Sequence, residues 1–237
     1  MTEHSNADIS SGLENLALGY RILASHGHLE TTLGHLSWRD PNGRGIWIKC
    51  QEVGLDEVQP SDLHLVDWGG KVKDGSNGHH HSEWPIHAAV YNARPDVESV
   101  GHTHPMHCVL FSATNEKLEG VGHNGSYFND TVNVFEKTLS LVRSMEDADA
   151  MAEDLGQAWA VLLRNHGVTF CGDSLPHCVL IGIAIEKACK EQLQMNGSGF
   201  DWKGKVSTGA ENEAKMYPRM IKNIWHYYVR KLAKLEG

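Results

Sequence analysis

The chain has no long apolar run, no basic block, no CxxC pair and no phosphate-binding glycine loop. No stretch approaches the ~18 consecutive apolar residues that mark a membrane-spanning helix. The first residues, "MTEHSNADISSG", lack a basic region followed by an apolar one, so no secretion signal is expected. Acidic residues outnumber basic ones by 30 to 21, a formal charge of −9, which argues against a nucleic-acid partner. The five cysteines (Cys50, Cys108, Cys171, Cys178 and Cys189) are odd in number and sit mostly among apolar neighbours. A free thiol in such surroundings behaves as a small hydrophobe. The expectation is a cytoplasmic protein without membrane or nucleic-acid binding. Its hydrophobic content of 41% suits a folded domain.

Histidine, by contrast, is abundant, at 16 of 237 residues. In "SVGHTHP", His102 and His104 stand two apart on a predicted strand. Side chains at i and i+2 of a strand share a face, about 7 Å apart. Two imidazoles so placed can converge on one ion, or can be ordinary strand histidines bonded to backbone carbonyls. Further potential ligands are Glu83 in "HHHSEWPIH" and His166 in "LLRNHGVTF". Three histidines with a carboxylate suit a catalytic divalent ion that leaves room for water or substrate.

Periodicity places helices at "SGLENLALGYRIL", with Ser11 as N-cap and Gly27 as stop, and at "EWPIHAAVYNA", closed before Pro95. It places others from Pro105, over "DADAMAEDLGQAW", over "LPHCVLIGIAIEKACKEQLQM", and from Glu211 to Gly237. Strands fall at "HLSW", "GIWIKC", "DLHLVD", "ESVGHTH" and either side of the Asn165–His166 turn. Without repeats or a long linker, residues 1–237 are expected to form one α/β domain around a single mixed sheet.

The run "HSEWPIHAAVYNARPDVESVGHTHP" resembles the core signature of the class II aldolase/adducin-head family. So do "GHLSWRD", "LDEVQPSDLHLVDWGGKV" and "LLRNHGV", in the same order over about residues 12–190. The resemblance implies an α/β/α sandwich with a mostly antiparallel sheet. It implies homotetramers with active sites at subunit interfaces, and one divalent ion per subunit (Zn2+ or Mn2+, with Fe2+ or Co2+ as options). On that pattern His102, His104 and His166 are the metal histidines, and Glu83 is a ligand or the acid/base.

Phosphate-using members carry Asn in "GNxS", a Thr-x-Ser/Thr-Gly loop and Ser-Ser-Glu. Here these become "GHLS", "WIKCQEVG" and "HHSE", which replaces small hydroxyls and amides with His35, Lys49 and His81 and keeps Ser82. Together with Arg39, these residues suit a carboxylate, so an anionic small-molecule substrate is expected. The pattern is nearest to the family's decarboxylases of hydroxylated aromatic acids, of the dihydroxyphthalate or hydroxypyridine-dicarboxylate type. An aldolase or epimerase of a sugar or keto acid is the alternative, and a non-catalytic adducin-like module a third. His123 and Tyr127, in "GVGHNGSYFND", are the further proton-transfer candidates; Tyr217, Arg219, Tyr227 and Tyr228 lie in a tail that closes over the site in some members.

Overall fold

A computed structural model describes residues 6–128, 131–202 and 218–236. Eight strands form one sheet: β1 (His35–Arg39), β2 (Gly45–Lys49), β3 (Leu63–Asp67), β4 (Val72–Gly75), β5 (Ser99–Thr103), β6 (Val134–Phe135), β7 (Ala160–Leu163) and β8 (Gly167–Gly172). Their order is β4-β3-β2-β1-β5-β8-β7-β6, and every neighbouring pair is antiparallel except β6–β7. The mostly antiparallel sheet expected from the motif pattern is therefore present. β6 spans only two residues and leaves no alternation to read.

Helices cover both faces. The first core packs α1 (Asn6–Leu23) and α6 (Leu175–Gly197) on the sheet through Leu16, Leu36, Phe170 and Ile181, and α7 (Pro218–Glu236) adds Trp225 and Leu232. The second core, on the opposite face, joins α2 (Trp84–Ala93) and α5 (Met145–Leu155) through Ile46, Val66, Val90, Val100 and Met151. This is the expected α/β/α sandwich. No described helix is long and apolar enough to cross a membrane. The five cysteines are free and buried.

Ser11 does not cap α1: the helix already runs through it from Asn6, with Asp8 in the first turn. Gly27 does mark the exit, at φ 91°. Gly156, at φ 52°, stops α5 at Leu155, so Trp159 lies beyond the helix. α3 (Met106–Ser112) starts directly after Pro105. The predicted C-terminal helix begins at Pro218 among the described residues; its first part, with Tyr217, lies outside them.

One hydroxyl shapes the sheet beside the future site. The β1–β2 ladder ends at the Ser37–Ile48 pair. Beyond it the fully buried Tyr20 hydroxyl enters from α1 and donates to the Leu36 carbonyl. It accepts from the amides of Leu36 (2.9 Å) and Lys49 (3.1 Å). The strands are thus spread where His35 and Lys49 turn into the interior. Burial of this phenol raises its pKa, so it stays a neutral donor. Tyr20→Phe should strand two buried amides and cost about 2–4 kcal/mol. A urea midpoint unchanged from wild type would disprove that role.

Candidate metal centre

Strand register builds the centre. His35, His102 and Thr169 occupy one row across β1, β5 and β8. His104 follows β5, and His166 sits in the tight turn from β7 to β8, where Asn165 takes φ 56°. Asn tolerates that left-handed conformation better than most residues. Gly167 is required by contact: a Cβ there would lie 2.4 Å from the Thr103 carbonyl oxygen and 2.8 Å from the His104 ring. Its absence lets the His104 and His166 rings stack, with centroids 4.9 Å apart.

One ligand atom from each of Glu83, His102, His104 and His166 lies within 4.8 Å of all the others. It is the only such convergence of at least three candidate ligands among the described residues. The outward nitrogens are committed elsewhere. His104 Nδ1 donates to Glu30 Oε2 at 2.9 Å, and His102 Nδ1 lies 3.1 Å from Thr169 Oγ1. Such partners fix the tautomer and leave Nε2 as the free acceptor. The two Nε2 atoms then face each other at 3.2 Å, and the buried His166 Nε2 has no protein partner. Acceptor nitrogens converging in this way, with a carboxylate beside them, fit a divalent cation.

Electrostatics keeps the imidazoles in the ligand form. Burial, reinforced by the neighbouring rings, holds His102 well below the ordinary value and His166 at about 4; burial lowers His104 as well. Glu83 sits at the N-terminus of α2, ahead of Pro85. Its Oε1 accepts from the Val142 amide at 2.9 Å, and Oε2 stands 4.0 Å from His102 Nε2. Burial raises this carboxyl, against the pull of the Val142 N–H and the Arg143 charge. A cavity of about 580 Å3 opens beside His166, lined by Leu139, Ser140, Leu141, Arg143 and Asn165.

The other expected site residues divide into groups. His81 stacks near His35 (4.6 Å between centroids), and His35 stands 5.2 Å from His102, so both belong to the same buried cluster. Lys49 is turned fully inward. Its ammonium donates to the carbonyls of Thr32 (2.9 Å) and Cys50 (3.4 Å) and to His81 Nε2 (3.0 Å), which uses all three donors within the protein. His35 Nδ1 meets His87 Nε2 at 2.6 Å, and His87 Nδ1 meets Ser37 Oγ at 2.7 Å. Ser82 is exposed beside Glu83.

Arg39 lies at the far end of β1 from His35, about 13 Å along the strand. Its guanidinium donates to the carbonyls of Val97, Tyr91 and Arg94, tying β1 to the end of α2 and the connection that follows it instead of facing the cavity. His123 and Tyr127 pair with each other at 2.7 Å, and neither bonds to the cluster within one chain. Their segment is anchored to α6 by Asn124 donating to Glu191. Tyr228 meets His26 edge-on, with ring centroids 4.5 Å apart. His79 pairs with Glu52 in an exposed loop. Glu30, Thr169 and Val142 were not legible as site residues, because only tertiary contact brings them to the ligands.

Removing His104 should abolish tight metal binding while the subunit stays folded. Full metal occupancy of His104→Ala in elemental analysis would exclude it from the centre. A second expectation concerns acid. His28, His64 and His87 are at most 1% exposed, and burial depresses them to about 3, 4 and 3. Unfolded, each takes a proton near pH 6.5. Stability is therefore full above about pH 6.5 and falls as pH drops toward 4, by up to about 1.4 kcal/mol per pH unit for each residue. Urea midpoints that stay level across that window would contradict this.

Residues 14–193 match the Class II Aldolase and Adducin N-terminal domain. The chain is 31% identical over 201 residues to a 3,4-dihydroxyphthalate decarboxylase of Terrabacter sp., covering 76% of this chain and 79% of that protein. The crystal structure of an aldolase II superfamily protein from Pseudomonas syringae superposes with a TM-score of 0.86 at 25% identity, covering 95% of this chain and 93% of that one. L-fuculose 1-phosphate aldolase from Glaciozyma antarctica has the same fold, with a TM-score of 0.84 at 24% identity and coverage of 100% and 94%. With its three histidines and glutamate drawn together on that frame, the chain belongs to the class II aldolase and adducin N-terminal domain family.

Proposed function

We propose that this protein is a metal-dependent carboxy-lyase. Its substrate is a hydroxylated aromatic carboxylate of the dihydroxyphthalate or hydroxypyridine-dicarboxylate type. The observation that carries this reading is the four-residue cluster whose His166 lines a cavity with leucine walls and a cationic rim. A bound divalent ion would supply Lewis-acid stabilisation for the negative charge that develops beside a breaking carbon–carbon bond. The 31% identical relative named a 3,4-dihydroxyphthalate decarboxylase supports this substrate class.

The chain's own groups provide the remaining chemistry. As the ring carbon releases CO2 it keeps the electron pair of the broken bond, and a proton must then reach that carbon. Glu83 is placed to carry it, because burial raises the carboxyl toward its protonated form and the Val142 N–H fixes one oxygen. Leu139 and Leu141 offer an apolar slot for a flat ring. His35, Lys49 and His81 occupy positions where phosphate-using members carry small hydroxyls and amides. Their polar atoms are engaged within the protein, His35 with His87 and Lys49 with His81, so they leave no small hydroxyls or amides to cradle a sugar phosphate. A homotetramer in the cytoplasm is part of the same reading; Met106 and Leu110 leave an exposed apolar face on α3 for assembly.

The test is CO2 release from hydroxylated phthalates, pyridine-dicarboxylates and benzoates, with a ketose-phosphate cleavage assay alongside. Release should stop with chelator and return with one divalent ion. Glu83→Gln should lower kcat by about 10²- to 10⁴-fold. Ketose cleavage without CO2 release would assign the centre to an aldolase instead.

A further inference from the structure

The cations around the centre differ in one respect: whether their hydrogen bonds are already used. Lys49 spends its ammonium on two carbonyls and His81, and Arg39 spends its guanidinium on three carbonyls. Arg164 holds Glu136 together with the carbonyls of Ser112 and Thr114. Arg143 is exposed and lines the cavity, and it makes no hydrogen bond or ion pair with any described residue. It is also the only residue with a permanent charge among those lining the cavity.

Its backbone is nevertheless held on both sides. Val142 is fully buried in the second core, and its amide is tied to Glu83. The Ser144 hydroxyl accepts from the Asp147 amide and caps α5. Leu139, Ser140, Leu141 and Arg143 all line the cavity, while Val142 between them faces the core. The cavity wall is thus apolar along the leucines and cationic at Arg143, whose charge reaches Glu83 without a hydrogen bond to it.

We propose that Arg143 is the substrate-anchoring residue of the site. It takes, as a bidentate pair, a second ring carboxylate that does not engage the metal centre, and so selects aromatic dicarboxylates over monocarboxylates. Guanidinium geometry matches a carboxylate with two parallel hydrogen bonds, and a point-charge lysine reproduces this only in part. The assignment rests on the carboxy-lyase reading for its substrate class.

The experiment is calorimetric titration of the metal-loaded protein with phthalate and with benzoate. Neither carries the ring hydroxyl of the proposed substrates, so binding is read apart from turnover. Wild type should bind phthalate more tightly. Arg143→Gln should weaken phthalate about ten- to a hundredfold and benzoate less than about twofold. Arg143→Lys should fall between, and both variants should keep the wild-type Tm because the side chain is exposed and unpaired. In the CO2 assay the same change should raise KM and leave kcat nearly intact. Equal losses for both ligands, no loss for phthalate, or no binding of either by wild type would overturn the proposal. Absence of CO2 release from every hydroxylated aromatic acid, with the phthalate effect intact, would remove the carboxy-lyase reading and leave Arg143 as a dicarboxylate anchor.

Discussion

Two imidazole nitrogens held 3.2 Å apart with their lone pairs facing each other are the constraint on which this structure depends. Left alone, His102 and His104 would turn away from each other or share a proton. The fold blocks both escapes. Glu30 and Thr169 hold the outward nitrogens, β1 and β8 pair with β5 on both sides of His102, and burial disfavours protonation. Gly167 then admits the His166 ring against His104, bringing an unpartnered nitrogen to the same point. A cation is the species that turns this convergence from a cost into a gain.

The neighbouring histidines extend the same logic. Lys49 sits behind His81 and His35, and its positive charge opposes protonation of both rings. His35 in turn lies in contact with His102. Lys49 itself is pushed down to about 8 by burial, which leaves it mostly charged at neutral pH. Burial is the larger cause that keeps these rings neutral, and Lys49, a cation that looks from sequence like an anion-binding residue, turns inward here and adds to it. The spread of β1 and β2 around the Tyr20 hydroxyl makes room for that row.

Much of the frame was legible because it is local. Short strand-like runs marked β5 and the two strands flanking His166, helical periodicity marked α2 and α6, and Gly27 marked the end of α1, whereas the expected α5 overran Gly156 to Trp159. The four-residue cluster was legible because its spacing and order match a family pattern, although spacing alone left the histidines ambiguous. The role of Arg39 was not legible. An arginine one residue before a turn carries no sign that its guanidinium will close onto carbonyls more than fifty residues away. Glu30 and Val142 were hidden for the same reason, since a carboxylate or an amide joins a site only through the fold.

The parts of the centre also differ in how freely they can change. The histidine ligands come from, or directly adjoin, paired strands, where a shifted register would move every side chain to the wrong face. The cavity wall comes from a loop pinned at Val142 and Ser144, with side chains at 139, 141 and 143 that support no core. Substitutions there alter what enters without disturbing what is coordinated. The frame this chain shares with solved relatives therefore constrains the ligand set strongly and the substrate weakly. On the proposed reading, substrate choice falls to a few exposed residues, and the one with unspent hydrogen bonds beside Glu83 has the most to contribute.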